Sequence, residues 1–124
     1  MKNKLLAAVV LGVSVLSFNA AMAHGGAKPK HGGVVAVAGD LGFELVGTPA
    51  GAAIYIEDHG KPMAPAGMSG KLTVLNGVDK SEAELVVAGD KLEAKGVKLA
   101  PGAKVVAALT TPAKKAITVR FTVK

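Results

Sequence analysis

The sequence predicts an all-β fold, an antiparallel sandwich or barrel of seven or eight strands, and three observations carry that expectation. Beyond His31 the chain breaks into short β-branched and apolar runs, separated about every eight to twelve residues by Gly, Pro, Asn or Asp, as all-β domains do. The last run, residues 116–124, alternates Ile117, Val119, Phe121 and Val123 with Thr118, Arg120, Thr122 and Lys124, so one face is dry and the other wet. The chain holds 16 glycines, and its Val/Ile/Thr-rich runs have a period of two, both of which weigh against helix.

The elements follow in order from the amino terminus. Lys2 and Lys4, an apolar run over 5–18, and Ala21 and Ala23 flanking Met22 make the three parts of a secretory signal (residues 1–23), with cleavage expected after Ala23. The run is shorter than the about 20 residues a membrane span needs, and no later stretch is free of charges and turn residues for that long. No cysteine is present to carry a lipid or close a disulfide, so the expected product is a periplasmic protein with no membrane anchor, its core held by packing alone. Removing 23 of 124 residues leaves 101, the size of one domain, and lowers the formal charge from +6 to +4 because two lysines leave with the signal.

Residues 24–32 are rich in Gly and Lys with nothing to bury, a segment expected to be flexible unless a ligand holds it down. The β domain follows over 33–124. Strands are expected at 33–38, 41–47, 52–57, 71–75, 82–87, 91–95, 104–110 and 116–124. Gly39-Asp40, Asn76-Gly77 and Gly89-Asp90 supply residues that tolerate the positive φ of tight hairpins. Ala-Gly-Asp recurs in residues 35–45 and 86–94, which reads as one turn solution used twice. Residues 63–70, with one Pro and two Gly, read as a loop.

Several function classes are disfavoured. The cations are scattered, and three Phe, one Tyr and no Trp provide no stacking platform for nucleic acid. An enzyme is not expected: there is no cysteine nucleophile, no G-x-S-x-G frame and no phosphate loop, and the nine acids fall mostly on strand surfaces or turns. The uncommon groups that gather are His24, His31, Glu57, Asp58, His59, Met63 and Met68. Cleavage after Ala23 makes His24 the new terminus, where an α-amine (about 7.7 to 8.0) and an imidazole (about 6.5) can chelate one ion near neutral pH. Nitrogen donors suit Cu(II), thioethers suit Cu(I), and zinc or silver are the alternatives. Each group also has an ordinary role: His31 as a solvated linker residue, residues 57–62 as turn chemistry, and Met63 and Met68 as gap fillers. His31 stands seven residues from His24 and could fold back toward it; Glu57 and His59 share a side if the strand extends that far.

The runs His31-Gly32-Gly33-Val34-Val35, Phe43-Glu44-Leu45-Val46, Ile54-Tyr55-Ile56-Glu57-Asp58-His59-Gly60-Lys61-Pro62 and Gly70-Lys71-Leu72-Thr73-Val74-Leu75 resemble small periplasmic proteins associated with heavy-metal efflux and copper resistance. Leu92-Glu93-Ala94-Lys95 and Pro101-Gly102-Ala103-Lys104-Val105-Val106 extend the resemblance over nearly all of the mature chain. It implies an immunoglobulin-like form of the sandwich. The chain is more loosely similar to copper-resistance C-type proteins, β-sandwiches whose mature terminal histidine binds Cu(II) with a second histidine and an aspartate in a D-x-H motif. His24 matches the terminal position; Glu57-Asp58-His59 offers E-x-H instead, and the other motif residues are missing.

The expectation is therefore a periplasmic binder of copper or a related heavy metal, acting as buffer, carrier or accessory to an efflux-system protein. Its ligands would come from His24, His31, His59, Glu57, Met63 and Met68. The alternative is a non-metal, immunoglobulin-like interaction module that docks on a partner protein through a strand edge. A copper oxidase of polysaccharides, which also uses a terminal histidine, ranks last, because a short chain with few aromatics leaves little room for a carbohydrate face.

Overall fold

Alternation of inward apolar and outward polar residues, punctuated by glycine turns, folds residues 28–124, the part that the computed structural model describes, into an all-β structure whose strand pairs are antiparallel. The expected signal peptide, its cleavage site and His24 lie outside the described residues. Nine strands are present among the described residues: β1 (Val34–Ala38), β2 (Leu41–Thr48), β3 (Gly51–Asp58), β4 (Lys61–Met63), β5 (Ser69–Asn76), β6 (Asp79–Ala88), β7 (Lys91–Lys95), β8 (Lys104–Thr110) and β9 (Ala116–Thr122). Eight of them fall where the sequence places strands. The ninth, β4, holds three residues, one of them Pro62, and among the described residues it pairs with β3 alone. Proline lacks the N–H a ladder needs and is tolerated at such an edge, so the segment reads as a turn in sequence while pairing in space.

The turns follow from their glycines. In the β1–β2 and β6–β7 hairpins Ala38 pairs with Leu41 and Ala88 with Lys91, so both Ala-Gly-Asp sequences form two-residue loops, with Gly39 and Gly89 at φ of 62° and 69°. The β5–β6 loop is Gly77-Val78, one residue later than Asn76-Gly77: Asn76 pairs with Asp79, Gly77 takes the positive φ, and Val78 is left 98% exposed.

The pairing path runs β1-β2-β3-β7-β6-β5-β8-β9, and its end strands β1 and β9 pack against each other. The result is an antiparallel sheet nearly closed into a barrel. The order β8-β5-β6-β7 is a Greek key, three hairpin-linked strands with the fourth returning beside the first. Strand β6 makes the corner: Asp79 to Leu85 pair with β5, whereas Val86 to Ala88 pair with β7. Inside, Phe43, Leu45, Ile54, Ile56, Leu72, Leu92, Val105 and Val119 form one core with small residues such as Ala52, Ala94 and Ala107 between them.

Truncating Ile54, which is fully buried, to Ala should lower the unfolding free energy by about 2 to 5 kcal/mol. Val78→Ala, at the exposed hairpin tip, should stay within about 0.5 kcal/mol of wild type. Urea unfolding of the two variants checks both values.

Candidate functional site

Strand β2 carries the residue around which the site is built. Phe43 and Leu45 turn into the core, so Glu44 between them faces the outside of the barrel, yet it is only 6% exposed. Antiparallel registers place it in a row across four strands, Val35, Glu44, Tyr55 and Lys91. Residues 28–33 lie over this row as a strap and cover the carboxylate.

The strap is tied by hydrogen bonds. Backbone N–H groups of Lys30 (3.0 Å), His31 (2.8 Å) and Gly33 (2.9 Å) donate to the two Glu44 oxygens, and His31 Nδ1 lies 2.9 Å from Oε1. The His31 ring stacks on Tyr55 with centroids 3.6 Å apart and planes within 5°. Lys30 reaches past it to Glu57 Oε2 at 2.6 Å and donates to the Gly60 carbonyl at 3.3 Å. Gly33 allows the close approach: a Cβ there would lie 2.1 Å from the Leu45 carbonyl oxygen. The His31-Gly32-Gly33 sequence is thus a backbone cradle for one carboxylate, and the segment expected to need a ligand to hold it is held, over residues 30–33, by Glu44.

Burial by itself would raise the Glu44 pKa. The hydrogen bonds from the His31 side chain and from the Gly33, Lys30 and His31 backbone outweigh it and hold the carboxyl below the ordinary value of 4.5.

Beside the strap is a pocket of about 350 Å³. His31 and Lys30 form its strap side, Tyr55 and Glu57 the β3 side, and Pro62 and Met63 of β4 the far side. Gly42, in register with Glu57, opens it: a Cβ at Gly42 would meet nothing closer than Glu57 Cβ at 3.9 Å.

Three of the six metal-ligand candidates from the sequence, His31, Glu57 and Met63, therefore line one pocket. The other described ones do not. Strand β3 ends at Asp58, and His59 sits in the two-residue turn with φ of 53°, its Nδ1 2.6 Å from Asp58 Oδ1, so the extension that would align Glu57 with His59 is absent. His59 lines a neighbouring groove with Glu57 and Lys30. Met68 is buried in the core as a gap filler, its N–H bonded to the Pro65 carbonyl. Among the described residues no three His, Cys, Asp or Glu side chains converge as a ligand set. Glu44 and Tyr55 were not among the candidates; their one visible signal was polarity inside otherwise apolar strand runs, Phe43-Glu44-Leu45 and Ile54-Tyr55-Ile56. No protein-family model, curated protein or solved structure matches the chain.

Because the Glu44 carboxyl is held below its ordinary value, the stability it confers is complete above about pH 4.5 and is lost as the pH falls through its lower folded-state value. Urea midpoints measured between about pH 7 and about pH 3 should fall on the acid side. In Glu44→Gln the neutral midpoint should drop, by about 1 to 3 kcal/mol in free energy, and the acid decline should shrink.

Proposed function

We propose that this protein is an exported binder of copper or a related heavy metal, serving as a buffer, a carrier or an accessory to an efflux system. The observation that carries this reading is the meeting of His31, Met63 and Glu57, from the strap, β4 and β3, around one pocket. An imidazole with a thioether is a borderline-to-soft donor pair that suits copper or silver, and an imidazole with a carboxylate suits zinc. His31 offers its ring at the surface, with the side chain 42% exposed. Glu57 holds Lys30 through Oε2, so in the resting protein it is also the counter-charge that ties down the strap, and its second oxygen is the one to offer to a ligand set.

His24 lies four residues before Lys28, which itself lines the pocket. His24 enters this reading from the sequence alone, as the residue that the expected cleavage would place at the amino terminus. In this reading no bond is made or broken; the metal is cargo. The finer architectural reading, an immunoglobulin-like sandwich, belongs to the same proposal. The Greek-key order supports it, while the continuity of the pairing path through β6 and the packing of β1 on β9 favour a barrel. That near-closure also leaves few free edges for the alternative, a module that docks by strand addition.

Melting curves of the correctly processed protein with stoichiometric Cu(II), Ag(I) or Zn(II) test the proposal, since a ligand specific to the native state raises the midpoint. At least one ion should raise it, and His31→Ala or His24→Ala should weaken the affinity about tenfold or more. Midpoints that ignore all three ions would sink the metal reading and leave the interaction module.

A further inference from the structure

The contacts of Glu44 fix more than the path of the strap. Its Oε1 accepts from the Lys30 N–H and faces His31 Nδ1, while its Oε2 accepts from the N–H groups of His31 and Gly33. An ionised carboxylate only accepts, and its two oxygens offer about four lone-pair sites, so these four groups saturate it if all four donate. An Nδ1 without its proton would instead set two lone pairs against each other at 2.9 Å, in a place where Glu44 is almost sealed from water. Three backbone donors keep the carboxyl ionised, and they cannot be withdrawn without lifting the strap.

We infer that Glu44 is a positioning residue that fixes His31 as the Nδ1–H tautomer, leaving Nε2 as a lone-pair donor on the pocket wall for an electrophile, a metal ion above all, rather than for an anion. The ring has little freedom to choose otherwise. Its plane is set by the stack on Tyr55, over whose ring Lys91 Nζ stands at 5.9 Å, and its backbone is pinned on both sides by Lys30 and Gly33. In imidazole the two nitrogens point well apart, so Nε2 is directed away from the carboxylate that holds Nδ1. A histidine that binds a metal through one nitrogen commonly gives its other N–H to a carboxylate, which fixes the tautomer and raises the basicity of the ligating nitrogen. The identity of the electrophile rests on the metal-binding reading; the tautomer does not.

Nitrogen-15 NMR of the processed protein decides the tautomer, at about pH 8.5, above the ordinary imidazole range near 6.5. The expected spectrum has His31 Nδ1 protonated and Nε2 bare, and Glu44→Gln should turn this into a mixture while the ring-current shifts of the His31–Tyr55 stack persist; a mixture that appears only with loss of those shifts would mean that the strap had come away, and overturns the positioning role. Zn(II) added alone should move the Nε2 resonance of wild type, with an affinity about ten- to a hundredfold weaker in Glu44→Gln. A dominant Nε2–H form in wild type, or equal Zn(II) affinity in the two proteins, overturns the inference. An Nδ1–H spectrum that neither Zn(II) nor Cu(II) perturbs upholds the positioning role and overturns the metal reading instead. Should Glu44→Gln fail to fold, the wild-type spectrum still decides.

Discussion

A carboxylate removed from water needs donors for its lone pairs, and the strap laid over β2 and β3 meets that need for Glu44. An unpartnered buried charge costs several kcal/mol or is neutralised by protonation. Here the strap supplies the partners and in the same act provides the burial. The two effects are inseparable: without residues 30–33 the carboxylate would stand in solvent, and without the carboxylate three backbone N–H groups and the His31 ring would lose their common acceptor. Around this contact the Lys30–Glu57 pair and the His31–Tyr55 stack add further ties between strap and sheet.

The barrel makes the contact possible through two glycines with opposite uses. Gly33 lets the strap backbone touch β2, where any side chain would strike the Leu45 carbonyl. Gly42 does the reverse, leaving space between the strap and Glu57 that a side chain could occupy without a clash, and this space is part of the pocket. Strands β2 and β3 are consequently covered on both faces, by the core inside and by the strap outside, which explains why the run Phe43-Glu44-Leu45 is buried without interruption.

Histidine, methionine and carboxylate candidates that look equivalent in the sequence occupy three different environments. His31, Glu57 and Met63 share a pocket, His59 caps a turn with Asp58 as its partner, and Met68 fills the core. Proximity along the chain is a poor guide here. Glu57 and His59 are two residues apart but separated by the end of β3, whereas His31 and Met63 are joined through the pairing of β2, β3 and β4. A donor set in a β protein is assembled by register, and register is not written in the spacing of the donors themselves.

The sequence by itself determined the β class, eight of the nine strands among the described residues and the two Ala-Gly-Asp hairpins, because a period of two and a glycine at positive φ are local properties that each segment expresses alone. It also marked His31, Glu57 and Met63 as uncommon groups. Tertiary structure alone decided that the strands close toward a barrel, that β4 pairs in spite of Pro62, and that Glu44, a common acid on a common strand, organises the surface. These depend on which distant segments meet: the role of Glu44 exists only once backbone groups 11 to 14 residues away fold back over it.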